Sequence, residues 1–200
     1  MARRPPTPGE QLLAGVRARH PRFTTAVAAD ARLTLAMQGK GTAPSGRGAL
    51  ALVALRLAWS SDAFLATACY RAKARLQALR VPVLPRLLHR LAMMLAQVCI
   101  GDPVVVAPGC YLAHGQVVVD GFVEIGPGVV LFPWVTIGLR AGDFRGPTIG
   151  AGAHIGTGAK VIGPVTVGER ARVGANAVVT GDVAPGTTVV GAPARPVGSA

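Results

Sequence analysis

From Ile125 onward a large aliphatic recurs every six residues: Ile125, Leu131, Ile137, Ile149, Ile155, Val161, Val167, Val173 and Val179. One step, from Ile137 to Ile149, is twelve. Gly commonly follows the aliphatic (Gly126, Gly138, Gly150, Gly156, Gly168, Gly174), and a small or β-branched residue stands four positions after it (Val129, Val135, Ala153, Ala159, Val165, Ala171, Ala177, Val183). A helix repeats near 3.6 residues and a strand at 2, so neither explains a strict six. A three-sided prism does: each hexad is one flat side, three hexads close one coil, and the aliphatics stack inward. About five coils of ~18 residues are expected between Val104 and Val190. The doubled step predicts six residues leaving the prism as a loop, within Gly138–Thr148 (GLRAGDFRGPT), before the repeat resumes in phase.

The first half follows another rule. Glu10 to Gln38 patterns as helix, interrupted near Pro21, and residues 39–48 (GKGTAPSGRG) read as a loop. Leu52, Leu55, Trp59, Phe64, Leu65, Ala68 and Ala72 give a rough 3.6 period, which predicts one helix from Ala49 to Leu79. Residues 81–85 (VPVLP) break it, and a further helix is expected from Arg86 to Val98. Residues 1–9 read as disordered and 191–196 (GAPARP) as a tail. The expected organisation is a helical region over 1–100 and a hexapeptide-repeat prism over 101–200, an α+β arrangement.

Composition narrows the functional classes. Aromatics are scarce, which suits a core of stacked small aliphatics. No run of 18 apolar residues is free of charge and no apolar stretch follows the basic start, so neither a transmembrane helix nor a signal peptide is expected. The three cysteines, Cys69, Cys99 and Cys110, show no CxxC pairing, which suggests a reduced, cytoplasmic setting. Residues 1–100 hold fifteen Lys or Arg against three Asp or Glu, whereas residues 101–200 hold six of each, so the net charge of +12 lies in the helical half. Without interleaved aromatics the basic residues read as a solvated helical surface, or as partners of a phosphate-bearing ligand, rather than as a nucleic-acid face.

Polar residues that break the six-residue repeat are the candidates for chemistry. The segment Cys110–Gly121 (CYLAHGQVVVDG) breaks it by one residue and carries His114 beside Gly115. Its ordinary pKa near 6.5 makes an imidazole a usable base near neutrality. On a rigid coil edge it could take the proton of an acceptor hydroxyl; it could equally be a structural histidine. His154 reads as a surface or interface residue, and His20 and His89 as structural or solvated. Tyr111, Phe132 and Trp134 could wall a pocket or fill a subunit contact. Zinc catalysis would need about three imidazoles and an open position, and the prism half offers only His114 and His154, so no metal is expected.

Taken together, the hexad repeat, the His114-Gly115 segment, the loop before Gly146-Pro147-Thr148-Ile149-Gly150, the run IGTGAKVIGPVTVG and the ending VVGAPARPVG resemble the serine O-acetyltransferase branch of the hexapeptide-repeat acyltransferases. FLATACYRAKARL is similar to the last helices that precede the prism in that family, so the likeness covers about residues 60–197. It implies a left-handed parallel β-helix, a homotrimer or dimer of trimers with sites between subunits, and transfer of acetyl from acetyl-CoA to a small hydroxyl acceptor, L-serine-like, in cysteine biosynthesis. No covalent acyl-enzyme is implied. The catalytic base falls on His114. Coenzyme contacts fall on Thr157 and Ala175, with Lys160 and Arg195 as candidates for its phosphates, and Arg145 and Asp143 of the projecting loop are candidates for acceptor recognition.

This chain departs from that family at three positions. An acidic residue before the catalytic histidine is replaced by Ala113, a second histidine by Gly146, and an orienting Asp by Cys99. Asp102 or Asp120 could substitute for the last, or a backbone carbonyl could fix the His114 tautomer. Acyl-CoA chemistry is therefore expected to survive better than serine specificity. The alternatives are O-acetylation of a sugar or specialised metabolite, a metal-dependent hydratase on the same prism, and a non-catalytic trimeric scaffold.

Overall fold

The structure, a computed structural model, describes residues 7–198. Five helices come first: α1 (Pro8–Arg19), α2 (Phe23–Met37), α3 (Arg47–Ser60), α4 (Asp62–Ala78) and α5 (Leu84–Ala96). Residues 1–6 of the stretch read as disordered lie outside the described residues, while Pro8 and Gly9 already belong to α1. The single helix expected over Ala49–Leu79 is two, bent by 118°. Ser61 makes the corner: its backbone is extended (φ −141°, ψ 108°) and its Oγ accepts the Phe64 N–H at 3.3 Å, an N-cap that starts α4 afresh. Leu52, Leu55 and Trp59, whose spacing suggested the helix, face solvent, and Leu50 and Leu57 bury against Phe64 and Ala31 instead. Among the described residues no single helix is long and apolar enough to cross a membrane.

The prism has three parallel faces. The first stacks Cys99–Ile100, Val118–Val119, Thr136–Gly138, Lys160–Ile162 and Val178–Val179. The second stacks Val105–Val106, Phe122–Ile125, Arg145–Ile149 and Thr166–Val167, and a bridge from Val167 to Val183 continues it. On the third lie Tyr111–Leu112, Val130–Leu131, His154–Ile155, Arg172–Val173 and Thr188–Val190. Stacking begins at Cys99 rather than Val104, because Val98 and Ile100 already occupy inward positions, 1% and 5% exposed. The hexad aliphatics and the small residues between them form one continuous dry column.

Register accounts for each break in the repeat. Thr136 pairs with Lys160 where a plain coil would pair residues 18 apart, so six residues have left the prism and the phase is kept. Tyr111 pairs with Val130, one residue more than a plain coil, and the extra residue falls in the corner that holds His114. At the far end the chain reverses: Arg195–Pro196 runs antiparallel to Thr188–Val190, and Val178 is bonded on both sides by the same tail, donating to Gly191 O at 2.9 Å and accepting from Ala194 N at 2.8 Å.

The helices seat on the first coil through buried polar groups. Asp30 Oδ1 accepts the backbone N–H of Gly109 and of Cys110, each at 2.9 Å, and both its oxygens accept from Arg71 at 2.9 and 3.1 Å. Arg71 also donates to the carbonyls of Val106 and Ala107, Lys73 to that of Ile100, and Tyr70 Oη to that of Val104. Four coil carbonyls and two N–H groups, which no further coil could satisfy, thus find partners in α2 and α4.

Candidate active site

His114 stands exposed at the corner between the third and first faces. Two contacts fix that corner. The Gln116 N–H donates to the Ala96 carbonyl at 2.8 Å, at the C-terminus of α5, and a Cβ on Gly115 would overlap that same oxygen. Only glycine lets the extra residue pass under the helix end. The corner then climbs as a ladder: Trp134 N donates to Gln116 O, Gly158 N to Pro133 O and Asn176 N to Thr157 O, each at 2.8 Å. Thr157 and Ala175 therefore share one edge with His114, on successive coils. Gly156 and Gly174 beside them lie against backbone or side chain of the next coil so closely that a Cβ would come within 2.7 Å of Val173 O or Val190 Cγ1. Lys160 belongs to the same edge and donates to the Trp134 carbonyl at 2.6 Å. Arg195 follows on the covering tail, where its guanidinium donates to Ala194 O at 3.0 Å.

At the head of this edge lies an open groove of about 640 Å³. His114, Ala113, Gln116 and Trp134 form its prism side; Ser61 and Asp62 at the start of α4, and Leu95, Ala96 and Gln97 at the end of α5, form its helical side. Sequence reasoning assigned no role to Asp62, Ser61 or Gln97. These three come to His114 only through tertiary packing, and the lone signal was a Ser-Asp pair at an unrecognised helix start.

The remaining candidates lie elsewhere. Asp143 lies on the six-residue loop and Arg145 opens the strand that follows it, at the corner between the first and second faces, and the two are bound to each other: Arg145 Nη2 reaches Asp143 Oδ2 at 2.8 Å, and Arg145 holds the Asp143 carboxyl down to about 2. Within one chain they do not share the His114 groove. Asp102 and Asp120 are also at that other corner. Asp102 accepts from Lys73 Nζ at 2.9 Å, which with hydrogen bonding from Gln77 holds its carboxyl below the ordinary range despite partial burial. Asp120 Oδ1 overhangs Gly101. Among the described residues neither carboxylate, nor any other side chain, hydrogen-bonds to His114. Cys99 is half-buried at the start of the first face, its thiol pushed up by burial and by Asp120.

Gly146 has a steric explanation. A Cβ there would stand 2.6 Å from Val123 Cγ2 and 3.1 Å from the Phe122 carbonyl oxygen, beside an irregular register between Phe122 and Glu124. A side chain at this position requires the Val123 methyl to shift and the Phe122 backbone to give by a few tenths of an ångström. His154 is half-buried on the outer surface of the third face beside Arg172, and burial followed by that cation lowers its pKa. Among the described residues no group of three or more His, Cys, Asp or Glu is arranged to hold a metal ion.

Comparison with known proteins fits this geometry. A family profile, bacterial transferase hexapeptide (six repeats), matches residues 146–181. A serine acetyltransferase of Helicobacter pylori is 38% identical over 133 residues, 64% of this chain and 77% of that protein. One of Synechococcus elongatus is 37% identical over 135 residues, and the chain spans about half its length, 55%. The soybean serine acetyltransferase, solved with serine, superposes with a TM-score of 0.74 at 30% identity, covering 94% of this chain and 74% of that one. With helices preceding a left-handed parallel β-helix, and with this degree of likeness, the chain belongs to the serine acetyltransferase family of hexapeptide-repeat transferases.

Proposed function

We propose that this protein is an acetyl-CoA-dependent O-acetyltransferase acting on a small hydroxyl-bearing acceptor, with His114 as general base. The observation that carries the reading is the shared edge: an exposed imidazole, fixed by the α5 terminus, heads a corner that continues through Thr157 and Ala175. A long, thin thioester could lie along that edge against small residues and backbone. The acceptor hydroxyl gives its proton to His114 as its oxygen bonds the acetyl carbon; the carbon–sulfur bond breaks, and the thiolate leaves with the proton. Lys160 and Arg195, on the same edge and its covering tail, are assigned to the anionic nucleotide end of the coenzyme. With Asp102 and Asp120 at another corner, the groups that could hold the imidazole tautomer are those lining its own groove, the Asp62 carboxylate and the end of α5 among them.

Release of free thiol from acetyl-CoA, screened with L-serine, homoserine and hydroxyl-bearing sugars, tests the reading. His114→Ala should lower turnover by roughly 10²–10⁴-fold with the fold kept; near-normal turnover would remove His114 from the role. Family membership supports serine as acceptor, while Ala113 and the packed Gly146 favour a different one. Because Asp143 and Arg145 lie away from His114 in one chain, their use on the acceptor requires a second copy. The proposed assembly is accordingly a homotrimer, checked by sedimentation. Three free thiols fit a cytoplasmic protein.

A further inference from the structure

The hairpin of α4 and α5 carries an uncovered apolar surface at the end away from the His114 groove. α5 packs against α4 and buries Pro85, Ala92 and Ala96. A second apolar row on α5, Leu84, Leu87, Leu91 and Met94, falls at helical spacing and lies in solvent, as do Leu79 and Val83 in the turn before it. The apolar sector of α5 is thus wider than its own chain covers, and a helix apolar beyond its core-facing stripe ordinarily has a second cover. Val83 adds a backbone cost. Its φ is +66° and ψ −57°, unfavourable for a β-branched residue, and at 69% exposed it regains nothing from burial.

Charge around this row has one sign. Arg86 and Arg90, one turn apart, run alongside it; Arg75 lies in the last turn of α4 and Arg80 in the connection, and all four are exposed. No Asp or Glu occurs from Ala63 to Gly101. Among the described residues none of the four arginines pairs with a carboxylate. The exposed polar side chains of this surface therefore only donate hydrogen bonds. A second copy joined through the same face would set guanidinium against guanidinium. A folded protein partner presents donors as well as acceptors. A layer of phospholipid headgroups presents phosphate acceptors above an apolar interior, which is the complement of this surface.

We propose that the α4–α5 turn and the outer row of α5 are a docking surface for an anionic phospholipid bilayer. The aliphatics enter the headgroup boundary, and the arginines reach sideways to phosphates. The chain lies on the bilayer without crossing it, in keeping with the lack of any single described helix long and apolar enough to span one. The turn is roughly 15–20 Å along α5 from Leu95, where the His114 groove begins, so docking and the groove occupy opposite ends of one helix.

The test is co-sedimentation of the full chain with vesicles of equal parts phosphatidylglycerol and phosphatidylcholine, against vesicles of phosphatidylcholine alone. Binding should require the anionic lipid and weaken as salt is raised. Arg80→Gln with Arg86→Gln should lower vesicle affinity by about tenfold or more. Leu84→Ser with Leu87→Ser should act in the same direction and by a similar factor. Circular dichroism and sedimentation velocity should be unchanged in both pairs; the arginine pair, exposed and away from any packing contact, carries the test should the leucine pair fold poorly. Equal binding to both kinds of vesicle, no binding to either, or binding that survives both pairs of substitutions overturns the proposal. So does a smaller assembly in either variant, which would make the face a contact between copies. Retention on immobilised polyglutamate without binding to vesicles would overturn it too, in favour of an acidic protein.

Discussion

Prism and helices bury different things. Along the prism, Ile137, Ile155, Val161 and Val167 are wholly buried, each on the same aliphatic column, and the backbone of one coil satisfies that of the next. At the helical junction the buried groups are charged: Asp30, Arg71 and Lys73 are 1%, 3% and 2% exposed. A repeating stack adds nearest-neighbour contacts coil by coil, so damage to one coil spreads little. The junction is a single cluster around Asp30, whose members depend on each other. The difference shows that the repeat supplies stability, while the polar cluster decides where the helices sit, and hence what faces His114.

Four substitutions or conditions break that contrast in order of size. Asp30→Ala leaves the Arg71 guanidinium and two backbone N–H groups buried without their acceptor, and should cost about 3–5 kcal/mol in denaturant titration. Hydrogen exchange should show α2 and α4 opening while coils above the first stay protected; uniform loss of protection would mean one cooperative unit. Ile155→Ala should cost about 2–5 kcal/mol through a cavity, with exchange confined to its own and adjoining coils. Acidification acts on the junction next. His20 is lowered to about 4, by burial and then by Arg71, Lys73 and Arg19. Between pH 6.5 and about 4 the unfolded chain therefore binds a proton that the folded chain refuses, so stability falls as pH falls through that window. His20→Phe should flatten the slope in urea midpoints measured at pH 7 and pH 4.5. The smallest effect belongs to Arg19, whose half-exposed pair with Glu124 should change stability by about 0.2–1 kcal/mol on Arg19→Ala, and less in high salt.

Legibility in the sequence divides along the same line. The hexad aliphatics, the loop with its preserved phase and the one-residue break at His114 could all be read beforehand, because each is a local departure from a strict period. The helical half resisted. Leu52, Leu55 and Trp59 have helical spacing but face solvent, since periodicity finds a helix without saying which side is covered. Asp30 sits in an alanine-rich helix with no motif around it, and its partners lie 41 to 80 residues away. Asp62 was hidden for the same reason: it reaches the His114 groove only because the chain turns at Ser61. Thr157 and Ala175, which the family resemblance suggested as coenzyme contacts, stand on the same corner as His114 on successive coils, because the repeat returns each third hexad to the same corner.

The reversal at Arg195–Pro196 has a consequence for how these molecules keep apart. A parallel stack ends in a row of unpaired backbone donors and acceptors, a ready template on which another copy could add. Here the returning tail occupies that rim, and the helical cap occupies the opposite one. Each end of the stack therefore offers fewer open backbone groups to another copy, and lengthwise addition is discouraged in a fold whose own geometry invites it.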